Sequence, residues 1–329
     1  MKRLFVLFAF LLLSCAFHAQ DVKAQSEGTL LIVPRLDAEP AYYFGDKEWS
    51  FNLGATSLYT VFDGNLGDYF SFSFSNHWFA YTNSFQDTKD LYLNTWRADA
   101  FNWVDWANVS VHFGNFSITA GKDYIHMGTF ENDAYDFDSH WQLNSSLWNN
   151  YQVYQWGGSF GWTSSDESGH VRLQVTTDQL QERPFGSRNW KDYAYNLFGY
   201  YGNDAFKVMG SFMHCSIGFL GSLGVEGYLS DAVTLGADGY ISKNYGGASL
   251  RVNAQLGEHV DLFVKGGFDK GSNSLIIDGT RFYCGTGLYW YPLRDNRDLR
   301  VHGLFAYDGG DNAIDFSAGI TYQLNLKLF

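Results

Sequence analysis

The stretch 314-IDFSAGITYQLNLKLF-329 alternates apolar and polar side chains almost without a fault. Ile314, Phe316, Ala318, Ile320, Tyr322, Leu324, Leu326 and Leu328 fall on one parity. Asp315, Ser317, Gly319, Thr321, Gln323, Asn325 and Lys327 fall on the other. Successive side chains of a strand point to opposite faces, so the pattern predicts one long strand with an apolar and a wet face. Recurring along the chain, a strand of this length points to a barrel closed against lipid rather than to a soluble sandwich.

The same period of two returns upstream. Phe51, Leu53, Ala55, Tyr59 and Val61 alternate with Asn52, Gly54, Thr56 and Thr60, and Phe70, Phe72 and Phe74 with Ser71, Ser73 and Ser75. Val109, Val111 and Phe113 lead into Gly114-Asn115, from which Phe116, Ile118 and Ala120 return. Tyr154, Trp156, Phe160 and Trp162 are answered by Val171, Leu173 and Val175. Further strands are expected over 190–202, 204–216, 217–230, 232–243, 247–257, 258–268, 280–292 and 297–307. Each is about ten residues or longer, enough to cross a bilayer at a tilt.

Tight turns near 64–67, 114–115, 165–169, 202–203, 230–231, 257 and 293–296 alternate with connections that are often long, at 83–105, 124–149, 179–189 and 269–279. Outer-membrane barrels have short periplasmic turns and longer outer loops, so the alternation orients every strand and leaves Phe329 on the periplasmic side. An outward strand within 29–44 then completes the set, although Pro34 and Pro40 cannot donate to a ladder. The fold class expected is all-β, a transmembrane antiparallel up-and-down barrel of about 16 strands, with about 14 as the alternative.

Composition agrees. Aromatics make up 19% of the chain, Gly numbers 35 and Pro only 4, a balance usual in such barrels and rare in soluble domains. The formal net charge of −13 argues against a nucleic-acid partner, whose phosphates would want the opposite sign. Lys2 and Arg3 precede an apolar run over 4–13 that is too short to span a bilayer as a helix. Small residues follow it, so 1–19 reads as a secretory signal peptide, with cleavage as late as Ala24 as a variant, and 20–329 as one barrel domain. Leu12-Leu13-Ser14-Cys15 is a competing lipoprotein-type site. No later segment is apolar enough for a membrane helix, which excludes a helical bundle. Cys215 is expected inside, with Met213 and Ser211, and Cys284 on the lipid side with Phe282 and Leu288. A disulfide between opposite faces is not expected.

Charge decides which face is inside. Arg172, Lys207, Glu226, Asp238, Arg251, Asp261, Lys265, Arg281, Arg300 and Asp315 all fall on the polar parity. A charge facing mid-bilayer costs a few kcal/mol, so these residues are expected to line a water-filled lumen. Six are basic and four acidic, a weak lean toward anions. The favoured reading is a mixed, ion-paired wall with little selectivity.

Glu131, Asp133, Asp136 and Asp138 crowd the connection after 115–123. Clustered carboxylates can hold Ca²⁺, but the spacing lacks the central Gly and distal Glu of an EF-hand loop, so a solvated acidic loop is expected and no metal site. The same loop could fold inward and narrow the lumen. Trp96, Phe101, Trp103, Trp106, Trp141 and Trp148 read as the aromatic belt of a membrane interface, with a stacking surface for ring-bearing solutes as the alternative. A barrel hydrolase would need Ser, His and an orienting carboxylate together on the lipid side. His214 falls on the lipid parity, His77, His112 and His302 on the inner one, and no nucleophile motif is present, so neither an enzyme nor a cofactor is expected.

The whole pattern resembles the outer-membrane porins of Gram-negative bacteria, and more narrowly the barrels of Bacteroidetes. The run Ile118-Thr119-Ala120-Gly121-Lys122, followed by Gly128-Thr129-Phe130-Glu131, is similar to a run in the phosphate-selective porins O and P. The resemblance implies a channel for passive diffusion of small hydrophilic solutes or ions, with small anions in the narrower family. A non-conducting barrel, closed by its loops and structural or surface-binding in role, is the alternative. The partners implied are outer-membrane lipid and lipopolysaccharide, the solutes themselves and, as an open option, further copies of the chain. In the family a final Phe on the lipid-facing parity is the insertion signal; Phe329 lies on the polar parity instead.

Overall fold

The computed structural model describes residues 26–53, 56–80, 104–133, 143–150, 153–178, 193–273, 276–293 and 296–329. They form sixteen antiparallel strands, each bonded to its sequence neighbours, with the last paired to the first. The strands are β1 (Glu27–Tyr43), β2 in two segments (Glu48–Asn52 and Ser57–Leu66), β3 (Phe70–Ala80), β4 (Val104–Phe113) and β5 (Phe116–Tyr124). β6 (Tyr154–Thr163), β7 (Gly169–Thr177), β8 (Tyr193–Gly202), β9 (Phe206–Cys215), β10 (Gly218–Ser230) and β11 (Val233–Ser242) follow. β12 (Tyr245–Gln255), β13 (Val260–Asn273), β14 (Ile277–Trp290), β15 (Leu299–Asp308) and β16, again in two segments (Ala313–Tyr322 and Leu324–Lys327), close the barrel. Closure leaves no edge strand among the described residues. Among the described residues two short helices, α1 (Phe130–Asp133) and α2 (Ser146–Asn150), lie between β5 and β6.

The first strand closes the barrel despite its prolines. Toward β16 the ladder pairs Ile32 with Leu324 and resumes at Arg35 with Thr321; it pairs Ala38 with Ala318 and resumes at Ala41 with Asp315. Pro34 and Pro40 fall in those two interruptions, where no donor is required. Both keep partners on the β2 side, Leu58 and Phe51.

The apolar face points outward. Leu250 is 69% and Phe282 61% exposed, while Lys265 and Arg251 opposite them in parity are 2% and 3% exposed. This inverts a soluble protein and fits a wall between lipid and water. Cys284 is exposed and Cys215 buried, both unpaired, as their parities require. One stretch departs from the simple alternation. Phe51 is opposite Pro40 on the outer face, yet Tyr59 and Val61 pair with Val33 and Leu31 on the inner one. The β2 ladder breaks between Asn52 and Ser57, and its parity changes across that break.

At the other end, β1 and β16 keep one register from Tyr43–Ala313 to Thr29–Lys327, and only beyond it do two residues, Leu328 and Phe329, face the single Gly28, as in a bulge. The ladder thus runs past the last strand residue, with Gly28 N–H donating to Phe329 C=O at 3.2 Å and Leu328 N–H to Gly28 C=O at 2.8 Å. The Phe329 ring lies over Gly28, where a Cβ would come 2.5 Å from its Cζ. Gly28 is on the outward parity, so the terminal ring reaches the lipid side across a residue with no side chain.

Candidate functional site

The connection from β5 to β6 turns into the barrel. Its first limb crosses β7 to β11: His126 N–H donates to Gln174 (3.1 Å), Asn196 Nδ2 to His126 C=O (2.8 Å), and Ser211 Oγ to Met127 C=O (2.9 Å). Gly128, at φ +67°, lies against the backbone of Gly210. Thr129 and Glu131 then bond the Tyr240 hydroxyl. The second limb returns along the facing strands. Asn144 C=O accepts from Arg281 at 2.7 Å, Ser146 N–H donates to Asp269 at 2.7 Å, and Leu143 packs on Phe263, Leu304 and Ala306. Ile125 and Leu147 bury together against Met213, Leu220, Tyr240 and Tyr245. The described contacts of this loop thus run from β7 round to β15.

Carboxylates of the wall hold both helices by their starts. Asp238 accepts from the N–H groups of Phe130 (2.8 Å) and Glu131 (3.0 Å), and Asp269 takes the N–H of Ser146. Free N–H groups and the partial positive charge at a helix start make these favourable contacts. Glu131 is wholly enclosed, 2.5 Å from Lys265 Nζ, and receives Ser145 N–H at 2.7 Å and Ser145 Oγ at 2.6 Å. Burial opposes its charge, but Lys265 and the Ser145 donors outweigh it and hold the carboxyl below its usual range. Burial first, then Arg172, hold the His126 imidazole well below its usual range, so its Nε2 can accept from Arg172 at 2.8 Å.

The ten charges expected on the polar parity all lie on the inner face, and the loop divides them. Asp238, Lys265 and Arg281 bind it directly, while Arg251 pairs with Glu226 at 2.7 Å and lies over the Phe130 ring. Arg172 bonds the loop's root. Lys207 lies over Tyr228, Arg300 over Tyr289, Asp261 pairs with Arg297 at 2.8 Å, and Asp315 is opposite Ala41 and Ala306. Glu131 is therefore not the solvated acid expected of it but the buried partner of Lys265; the side chains of Asp133, Asp136 and Asp138 lie outside the described residues.

The aromatic belt needs the same correction. Trp106 is opposite Ser75 on the inner face, donates to Ser73 at 2.5 Å and packs on Tyr154 at 5.3 Å. Trp148 is 5% exposed on the inserted loop. Trp96, Phe101, Trp103 and Trp141 lie outside the described residues. From Tyr154 the rings continue through Tyr124 and His126 to Phe198, as a packed root for the loop. Trp106 shares the inner parity of Asn108, Ser110 and His112, so the alternation itself puts it inside; the bulge lies just beyond it, at Asp105, whose carboxylate bonds Ser75 and His77.

Ser317, His302 and Asp37 meet on the inner face of β16, β15 and β1. Ser317 Oγ donates to Asp37 at 3.0 Å, and His302 Nε2 lies 3.3 Å from both Ser317 Oγ and Asp37 Oδ1. One imidazole nitrogen faces both partners. A relay needs the carboxylate on the opposite ring nitrogen, so this cluster is a hydrogen-bonded knot and not a primed nucleophile.

No protein-family model matches the chain, and no curated protein matches it in sequence. Solved structures do. An anion-selective porin from Comamonas acidovorans superposes over 91% of this chain and 100% of its own, with a TM-score of 0.61 at 10% identity. The chain has the porin fold. An engineered variant of the Rh. blastica porin covers 91% of this chain and 99% of its own (TM-score 0.57, 13% identity). A loop-deleted form of OmpT, an outer membrane protein of Vibrio cholerae, covers 90% and 99% (TM-score 0.57, 14% identity). At such identities the likeness is one of architecture.

Proposed function

We propose that this protein is a porin of the bacterial outer membrane, a water-filled channel for passive diffusion of small hydrophilic solutes, and not an enzyme. The observation that carries this reading is a closed barrel with apolar residues outside, ionic groups inside, and one loop seated across part of the lumen. Lipid and lipopolysaccharide would cover the outer face, and 1–25, outside the described residues, would include the leader that is removed. The narrower kinship with Bacteroidetes barrels rests on the pattern of the whole chain, and that with porins O and P on 118–122 and 128–131, where Gly128 and Glu131 seat the loop. Further copies of the chain are compatible with the fold.

Single-channel recording from folded, reconstituted protein tests the reading. Stepwise conductance is expected; a folded barrel that passes no current would remove it. The seated loop gives the second reading, a barrel closed by its own loops, a specific observation of its own. Deletion of 127–147, which takes out both seated limbs, separates the two. A channel already conducting becomes wider, whereas a closed barrel conducts only after the deletion.

A further inference from the structure

The two sides of the lumen differ in charge. Beneath the inserted loop, basic groups are matched: Arg251 by Glu226 at 2.7 Å, Lys265 by Glu131 at 2.5 Å, and Arg281 by Asp308 at 2.7 Å with Asp269 at 3.7 Å. Facing the loop, β1–β5 form a different wall. Glu27, Asp37, Glu39, Asp63, Asp105 and Asp123 all present carboxylates on its inner side. Of the two basic strand residues among the described residues of that arc, Arg35 faces inward, and Lys122 pairs on the outer parity but is buried, its Nζ donating to Val104 C=O at 2.6 Å. At the outer rim Glu48 is offset by Lys47 in the adjoining turn. Arg172 lies 3.8 Å from Asp123, Lys327 of β16 lies 3.9 Å from Glu27, and His77 bonds Asp105, which tempers the field without reversing its sign.

The acids are spread along the whole height of the wall. Glu27 and Asp63 lie at the short-turn end, Asp37 between, and Glu39, Asp105 and Asp123 toward the long-loop end. At the short-turn end a cavity of about 290 Å³ is lined by Glu27, Thr29, Asp63, Asn65, Ser71 and Ser73, an oxygen-rich surface with no cationic side chain on it. A passage with low-dielectric walls and one sign of charge concentrates counter-ions of the other sign, and rows of like charge set the selectivity of wide pores.

We propose that the channel favours small hydrated cations and cationic solutes over anions, through the acidic arc of β1–β5. This deepens the porin reading and rests on it. The six-to-four lean toward anions counts none of the acids of β1–β5.

Reversal potentials across a KCl gradient test the proposal on the reconstituted full chain. The wild type is expected to reverse on the potassium side of zero, and Glu27→Gln/Asp63→Asn to move toward zero at comparable conductance. Those two side chains lie at the mouth, outside the loop's anchorage, and the heat-dependent gel mobility of the barrel checks that the variant has folded. Reversal on the chloride side, or no shift in a folded variant, overturns the proposal while leaving the channel in place. Absence of current from folded protein removes the porin reading and this proposal together.

Discussion

Lys265 and Glu131 are an ammonium and a carboxylate 2.5 Å apart with side chains 1% and 0% exposed. Such a pair adds little net stability when compared with apolar replacements, but removal of one partner leaves the other charged and dry, at a cost of roughly 3–5 kcal/mol. Lys265→Met is therefore expected to destabilise the barrel by about that amount, read as a lower urea midpoint in detergent or vesicles. Lys265→Met/Glu131→Gln should recover most of the loss, since a neutral amide still accepts from Ser145 and Tyr240. Equal loss in the single and double variants would mean that the charge pair is not what holds the loop. At this scale the sequence was legible by half. The parity of Lys265 placed it inside, but nothing local distinguishes Glu131 from a solvated loop acid, because its partner is 134 residues away.

Among the elements, the inserted loop depends on close backbone approach. Gly128 has φ +67°, and a Cβ there would sit 2.3 Å from the Gly210 carbonyl carbon and 2.4 Å from the Ser211 nitrogen. Left-handed backbone alone costs a non-glycine residue roughly 1–2 kcal/mol, and the contact is with backbone that cannot rotate away. Gly128→Ala should unseat the first limb while the strands stay closed. Limited proteolysis would show it as faster cutting within 132–142, with the folded band of the barrel retained; unchanged protection would mean that the loop is held by its other contacts. The strands themselves were largely legible, because a period of two is local and strong. Failures came where one strand answers another. The prolines of β1 looked like breaks until the interrupted ladder to β16 was known, and the parity change across 53–56 and the bulge beside Trp106 are properties of pairs. The Phe329 ring reaches the outer face only because Gly28 on the neighbouring strand leaves room.

For the molecule as a whole, the inside-out arrangement makes a prediction that no soluble barrel would share. Leu250 stands at the middle of β12, 69% exposed on the outer face, with the neighbouring strands' Ala237 and Gly266 beside it. In water, arginine in its place would be an ordinary surface residue, close to neutral in stability. In a bilayer the same guanidinium must leave its hydration shell or drag water and headgroups inward, at about 2–4 kcal/mol near the midplane. Asn108 on β4 faces the lumen beside Asp123, 2.9 Å away, so Asn108→Arg places the same group in a hydrated, acidic setting and should be tolerated. Urea unfolding of both variants from vesicles, set against the same measurement in a water-soluble amphipol or detergent belt of differing thickness, separates the cases. A large penalty for Leu250→Arg that grows with bilayer thickness, beside a small one for Asn108→Arg, is the expected result. Equal penalties at the two positions would mean that the faces are not partitioned between lipid and water, and the channel reading would lose the observation on which it stands.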